Sequence, residues 1–238
     1  MVFFMLHSKL FFVIALILLF SSQAFAIVPD QQVKVLAVTS DGRGLGADLF
    51  LNLEAGNGTV WISAEPLVGT TTQSAAQVAV NLARNYSSDA RKYDYKFSIQ
   101  SNASLVEGPS AGAAMALVVI SSLQNKKVPA NVALTGTIDE SGNVGQVGGI
   151  YEKSKEAANL GIDLFMLPRG EAVQTVRENG TVKSINLVQY GPTELGMKIL
   201  EVGTIDEVLE YAFSDIDQID ISKIIEESEI PEFVPKNI

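Results

Sequence analysis

Cysteine is absent from the 238 residues, and histidine occurs once, as His7. Without cysteine there are no disulfides, no thiol nucleophile and no cysteine-based zinc site. His7 lies in a segment with the three parts of a secretory leader. Lys9 supplies the charge, residues 10–20 (LFFVIALILLF) are apolar, and Ser-Ser-Gln-Ala-Phe-Ala ends in a small-x-small site at Ala26. Residues 1–26 are therefore expected to be a signal peptide or, if retained, an N-terminal membrane anchor. The apolar run is short for a full span. Past Ala26 neither histidine nor cysteine remains, so serine–histidine triads are excluded and any hydrolytic base must be lysine or a carboxylate. No metal or cofactor is expected. Basic residues are also scarce, 17 Lys and Arg against 27 Asp and Glu for a net charge of −10. Phosphate backbones call for a basic surface, so nucleic acid is not an expected partner. The only tryptophan, Trp61, is expected in the core.

What remains fits one domain at 27–213 and an acidic tail at 214–238. The tail carries isoleucines at 216, 219, 221, 224 and 225. It reads either as a solvated extension or as an amphipathic helix that docks on a partner. Apolar patterning predicts strands at 33–38, 47–56, 60–63, 93–99, 130–139, 164–168 and 185–190. Asn57-Gly58 reads as the turn of a hairpin joining the second and third of these. A helix capped by Thr70–Thr72 is predicted through Tyr86, with Ala75, Ala79, Leu82 and Tyr86 on one face. Another is predicted at 150–160, stopped by Gly161, and a last one through Phe213 behind a capping box of Thr204 and Glu207. Asp139–Asn143 turns the chain back into VGQVGG. Those glycines lack the lysine–hydroxyl ending of a nucleotide P-loop, so they fit a hairpin better. Strands with interspersed helices indicate a mixed α/β (α+β) domain.

The stretch around which the chain is organised is Glu107-Gly108-Pro109-Ser110-Ala111-Gly112, followed by AAMALVVISS. Gly108 and Pro109 make a tight turn, Ser110 falls at a helix start, and the uncharged helix from Ala111 to Ile120 is expected to be buried on all sides. Ser110 reads either as an N-cap or as a nucleophile placed at the positive end of the helix. In the 150–160 helix, Lys153 shares the apolar face of Ile150 and Ala157, whereas Lys155 lies among Glu152, Glu156 and Asn159. Lys153 reads either as a base whose pKa falls through lost hydration or as a lysine that snorkels to water.

EGPSAG, LTG at 134–136 and VGGIYEKSKEAANLGI at 147–162 occur in an order and at a spacing that resemble the proteolytic domain of Lon protease. The similarity runs from about Val33 to Phe213 and includes GTTTQSA. The resemblance implies Ser110 as nucleophile, Lys153 as general base and later acid, and Thr135 as the hydroxyl that orients Lys153. The N–H groups of Ser110 and Ala111, behind Gly108, suit an oxyanion. Glu107 either tunes the lysine or holds the loop. Unlike Lon, the chain carries no Walker motif. The resulting expectation is an exported, ATP-independent serine endopeptidase acting on unfolded or flexible polypeptides, outside the cytoplasm. Expected partners are polypeptides, a membrane through the N-terminal segment and, by resemblance, copies of itself in a hexamer. Two further readings share these residues. One is a non-catalytic binding module of the same fold. The other is a small-molecule kinase of the GHMP type, whose serine–glycine phosphate loop GPSAGAA also resembles.

Overall fold

The computed structural model describes residues 30–220 apart from 66, 179 and 180. The expected leader or anchor and tail residues 221–238 lie outside the described residues. Period-two patterning builds most of what is seen. The strands are β1 (Gln31–Val38), β2 (Gly44–Ala55), β3 (Val60–Glu65), β4 (Tyr93–Gln100), β5 (Val132–Leu134), β6 (Thr137–Ile138), β7 (Val144–Gly145), β8 (Leu164–Pro168), β9 (Val173–Glu178), β10 (Thr181–Asn186) and β11 (Lys198–Val202). Between them lie α1 (Thr70–Ala83), α2 (Gly112–Leu123), α3 (Ile150–Asn159), the single turn α4 (Leu187–Tyr190) and α5 (Ile205–Ala212). This is the mixed α/β architecture that the sequence predicts.

The main sheet has seven strands in the order β11-β8-β5-β1-β2-β4-β3. Only β2 runs against its neighbours, so β1, β4, β5, β8 and β11 all end at one edge of the sheet. In open sheets of this kind, ligands bind outside the carboxyl ends of the strands. β1 and β2 form a hairpin at that edge, and β6 with β7 forms a second. At the opposite edge, the buried Gln31 side chain donates to the Lys126 carbonyl and accepts from Val128 N–H. Lys198, at the start of β11, donates to the carbonyls of Ile216 and Ile219 and so ties down the last described turn. Ile216 and Ile219 pack against the core there.

Two apolar layers flank the sheet. On one side, Val33, Val35, Leu49, Leu51, Tyr95, Phe97 and Ile99 meet α1 and α2. Alanines at 75, 76, 79, 113, 114 and 116 keep the contacting faces thin, which lets the two helices approach closely. Every residue of α2 from Gly112 to Ser122 is buried, as its uncharged sequence predicts. On the other side, Phe165, Leu167 and Ile199 meet Ile150, Tyr151 and Ala157 of α3.

Several local expectations are corrected. β2 and β3 do not form a hairpin, because β4 lies between them, antiparallel to β2 and parallel to β3. The Asn57-Gly58 turn instead wraps the start of β4, where the Asp94 carboxylate accepts from the N–H groups of Asn57 and Thr59. Trp61 sits on the outer face of the edge strand β3 and is 59% exposed rather than in the core. α1 ends at Ala83 and its N-cap is Gly69, so the threonines lie inside the helix. The predicted strand at 130–139 breaks at Thr135-Gly136 into β5 and β6. Leu187–Tyr190 is helical because the Asn186 side chain accepts from Val188 N–H and starts a turn. The capping box at α5 is half formed. Thr204 Oγ1 accepts from Glu207 N–H, but the Glu207 carboxylate takes Gly203 N–H and pairs with Arg169.

Candidate active site

The break between β5 and β6 puts Thr135 at the carboxyl edge of the sheet, fully buried. Gly136 follows at φ +156, and a Cβ there would strike the Val144 side chain. α3 begins just beyond the second hairpin. Its N-cap, Gly149, is left-handed at φ +67, and a Cβ there would collide with Val38. That close approach brings the first turn of α3 under the β1–β2 hairpin. Lys153 therefore points inward at 3% exposure, on the face shared with Ile150 and Ala157, while Lys155 is exposed and lies over the Tyr151 ring.

Lys153 Nζ donates to Thr135 Oγ1 at 3.1 Å, and Thr135 Oγ1 is 3.4 Å from the Ser110 carbonyl oxygen, to which it donates. Ser110 O also accepts from Gly136 N–H at 2.9 Å. The three residues singled out in the sequence are thus brought together around the β5–β6 break. Burial pulls the Lys153 ammonium from its ordinary value of 10.5 down to about 8. At pH 7.5 about a quarter of such lysines are neutral, a gain on the order of a few hundred-fold over an exposed lysine. The snorkelling reading of Lys153 does not hold, because its side chain ends against Thr135 and not in water.

Ser110 occupies the middle of a single 3-10 turn, Pro109–Ala111, that leads into α2. The N-caps of the turn and the helix are Gly108 and Ala111, so Ser110 is not an N-cap. Gly108, at φ +121, adopts a backbone conformation that side chains resist. The N–H of Gly112 donates to the Pro109 carbonyl. The N–H groups of Ser110 and Ala111 come just before it, where a helix start has no internal acceptors to offer. Ser110 is half-buried and lines a groove of about 470 Å³. One wall is the β1–β2 hairpin with Thr39, Ser40 and Ala47, the other is the 101–108 loop, and Val35, Ile99 and Ala111 are also in the lining.

Glu107 is turned toward the start of α1. Its Oε1 accepts from Thr71 N–H at 3.2 Å and from the Thr71 hydroxyl. This explains why α1 has glycine at its N-cap. Glu107 supplies the capping carboxylate from another segment, and a Cβ at Gly69 would fall on it. These bonds fit the loop-holding reading of Glu107. The participation of Thr71 and Thr72 is not evident from the sequence, where they read as caps. The usable signal was a glycine standing where three threonines offered themselves.

Residues 67–215 match the family described as the Lon protease (S16) C-terminal proteolytic domain. The chain belongs to that family. Among curated relatives, it is 31% identical over 184 residues to the Lon protease of Lachnoclostridium phytofermentans, covering 74% of this chain and 21% of the relative. The Lon protease of Clostridioides difficile is 32% identical over 186 residues, covering 74% of this chain and 22% of the relative. That of Fervidobacterium nodosum is 30% identical over 187 residues, with coverages of 76% and 21%. The chain thus spans about a fifth of the length of these relatives.

Proposed function

We propose that this domain is an ATP-independent serine endopeptidase that works through a Ser110–Lys153 dyad. The observation that carries the reading is the buried Lys153, hydrogen-bonded to Thr135, whose hydroxyl also reaches the Ser110 carbonyl. Neutral Lys153 takes the proton of Ser110 Oγ as that oxygen attacks the substrate carbonyl. The tetrahedral oxyanion sits against the N–H groups of Ser110 and Ala111. Lys153, now charged, returns its proton to the leaving amine, and an ester to Ser110 Oγ remains. Water then attacks the ester with Lys153 again as base, and Lys153 hands that proton to Ser110 Oγ as the ester bond breaks and the new carboxyl group leaves. Thr135 holds the lysine in line throughout.

None of these steps consumes a nucleotide, and every group that carries them lies within one domain. An open groove suits flexible or unfolded polypeptides as substrates. The leader-like pattern at 1–26 supports placement outside the cytoplasm, secreted or anchored, and fractionation against the membrane tests it. The expected hexamer is tested by the mass of the purified protein in solution. The catalytic reading is tested by giving residues 27–238, and the Ser110→Ala variant, a loosely folded protein such as casein without ATP. Mass spectrometry should find fragments from the first alone. Equal fragmentation by both would refute Ser110 as nucleophile, and silence from both would favour the binding-module reading.

A further inference from the structure

We propose that Thr71 and Thr72 are positioning residues for the reaction at Ser110, acting through the backbone of Gly108; this rests on Ser110 being the nucleophile. The turn that carries Ser110 is three residues long and has no side-chain cap, so little within it fixes its orientation. Its grip comes from outside, on both flanks. On the far flank, the Ser110 carbonyl is held by Gly136 N–H and the Thr135 hydroxyl. On the near flank, both polar groups of Gly108 are engaged by successive residues of α1. Gly108 N–H donates to Thr71 Oγ1 at 3.0 Å, and Thr72 Oγ1 donates to the Gly108 carbonyl at 3.0 Å.

The Thr71 hydroxyl has one proton and spends it on Glu107 Oε1, which leaves its lone pair aimed at Gly108. Glu107 therefore sets the direction of the Thr71 hydroxyl as well as capping α1. Thr72 is 1% exposed, so no water substitutes for it readily. The two peptide planes that flank Gly108 are thereby fixed, at a φ open mainly to glycine, and the N–H groups of Ser110 and Ala111 follow directly after them. The same function is not available to valine, which matches threonine in shape but has no hydroxyl.

The test uses Thr71→Val, with Thr71→Ser as the conservative rescue and Glu107→Leu as a third variant. Each is assayed on a short fluorogenic peptide with circular dichroism confirming the fold. Thr71→Val should lower kcat by 10- to 100-fold with KM within about threefold, in line with the cost of misplacing reacting groups. Thr71→Ser should recover most of that loss. Glu107→Leu should lower kcat without moving the pH midpoint of kcat/KM, because it acts on Gly108 and not on Lys153. Hydrogen exchange at the Gly108 amide should quicken at least tenfold in Thr71→Val and stay slow in Thr71→Ser. Unchanged kcat in Thr71→Val, or a pH midpoint displaced in Glu107→Leu, would overturn the proposal while leaving the peptidase reading intact. No cleavage by the unsubstituted protein would overturn both.

Discussion

Replacing Lys153 by methionine is expected to abolish activity and, at neutral pH, to stabilise the protein. The lysine is 3% exposed, and its pKa falls from 10.5 to about 8 through burial alone. At about 1.4 kcal/mol per pH unit, its charged form costs roughly 3 kcal/mol when folded below pH 8. Methionine has similar length and no charge to desolvate. The hydrogen bond lost at Thr135 returns about 1 kcal/mol of that cost. The net gain is about 2 kcal/mol, or ~4–8 °C in Tm for a domain of this size. The sign of the pH dependence is fixed by linkage. Unfolded lysine keeps its proton up to about 10.5, whereas the folded one releases it above about 8. In that window the unfolded state binds more protons, so the stability of the unsubstituted protein rises with pH, and the penalty returns as pH falls through 8. The advantage of Lys153→Met should therefore be full at pH 6.5 and lost by pH 10.5, where the missing hydrogen bond to Thr135 leaves the variant slightly the less stable. Urea unfolding of both proteins at the two pH values reads this directly. A methionine variant less stable at pH 6.5, or equally favoured at both, would refute the account of Lys153 as a charge held at a cost for the sake of catalysis.

Other consequences follow from the same geometry. kcat/KM should rise with pH to a plateau with a midpoint near 8, the value that burial gives Lys153; a midpoint near 10 would place the lysine in water. Thr135→Val should lower kcat by 10-fold or more and cost about 1–3 kcal/mol of stability, since valine fills the same fully buried space but leaves Lys153 Nζ without its acceptor. Gly149→Ala should cost at least about 1 kcal/mol, because the residue is left-handed and the new methyl meets Val38; equal urea midpoints would argue against that approach. Leu117→Ala, in the middle of the buried α2, should cost about 2–5 kcal/mol, whereas Trp61→Ser at the exposed edge should stay within about 0.5 kcal/mol.

The sequence was most legible where one local pattern sufficed. The alternation in β4, the uncharged α2, the Gly161 stop and the inward face of Lys153 all depend on periodicity within a few residues, and each appears as expected. What misled was pairing at a distance. Asn57-Gly58 promised a hairpin, but register is decided by which strands share an apolar face, and β4 inserted between β2 and β3. Trp61 followed β3 to the edge and so out of the core. Thr70–Thr72 misled for a similar reason, since the helix start is capped by Glu107, 36 residues away from Thr71 in sequence. No local pattern in the sequence marks β9 or β11. β11 is short, and its burial comes from neighbours on β8 rather than from its own alternation.

The two anchors at the amino edge of the sheet have a consequence for how the domain presents itself. Gln31 fastens the incoming chain and Lys198 fastens the turn at Ile216–Ile219, while Ser110, Thr135 and Lys153 gather at the opposite edge. The first and last described residues thus lie at one pole and the groove opens at the other. A bead or surface fastened at either of these two anchors would therefore meet the pole away from the groove. Immobilised protein should accordingly keep its turnover whichever of the two is fastened.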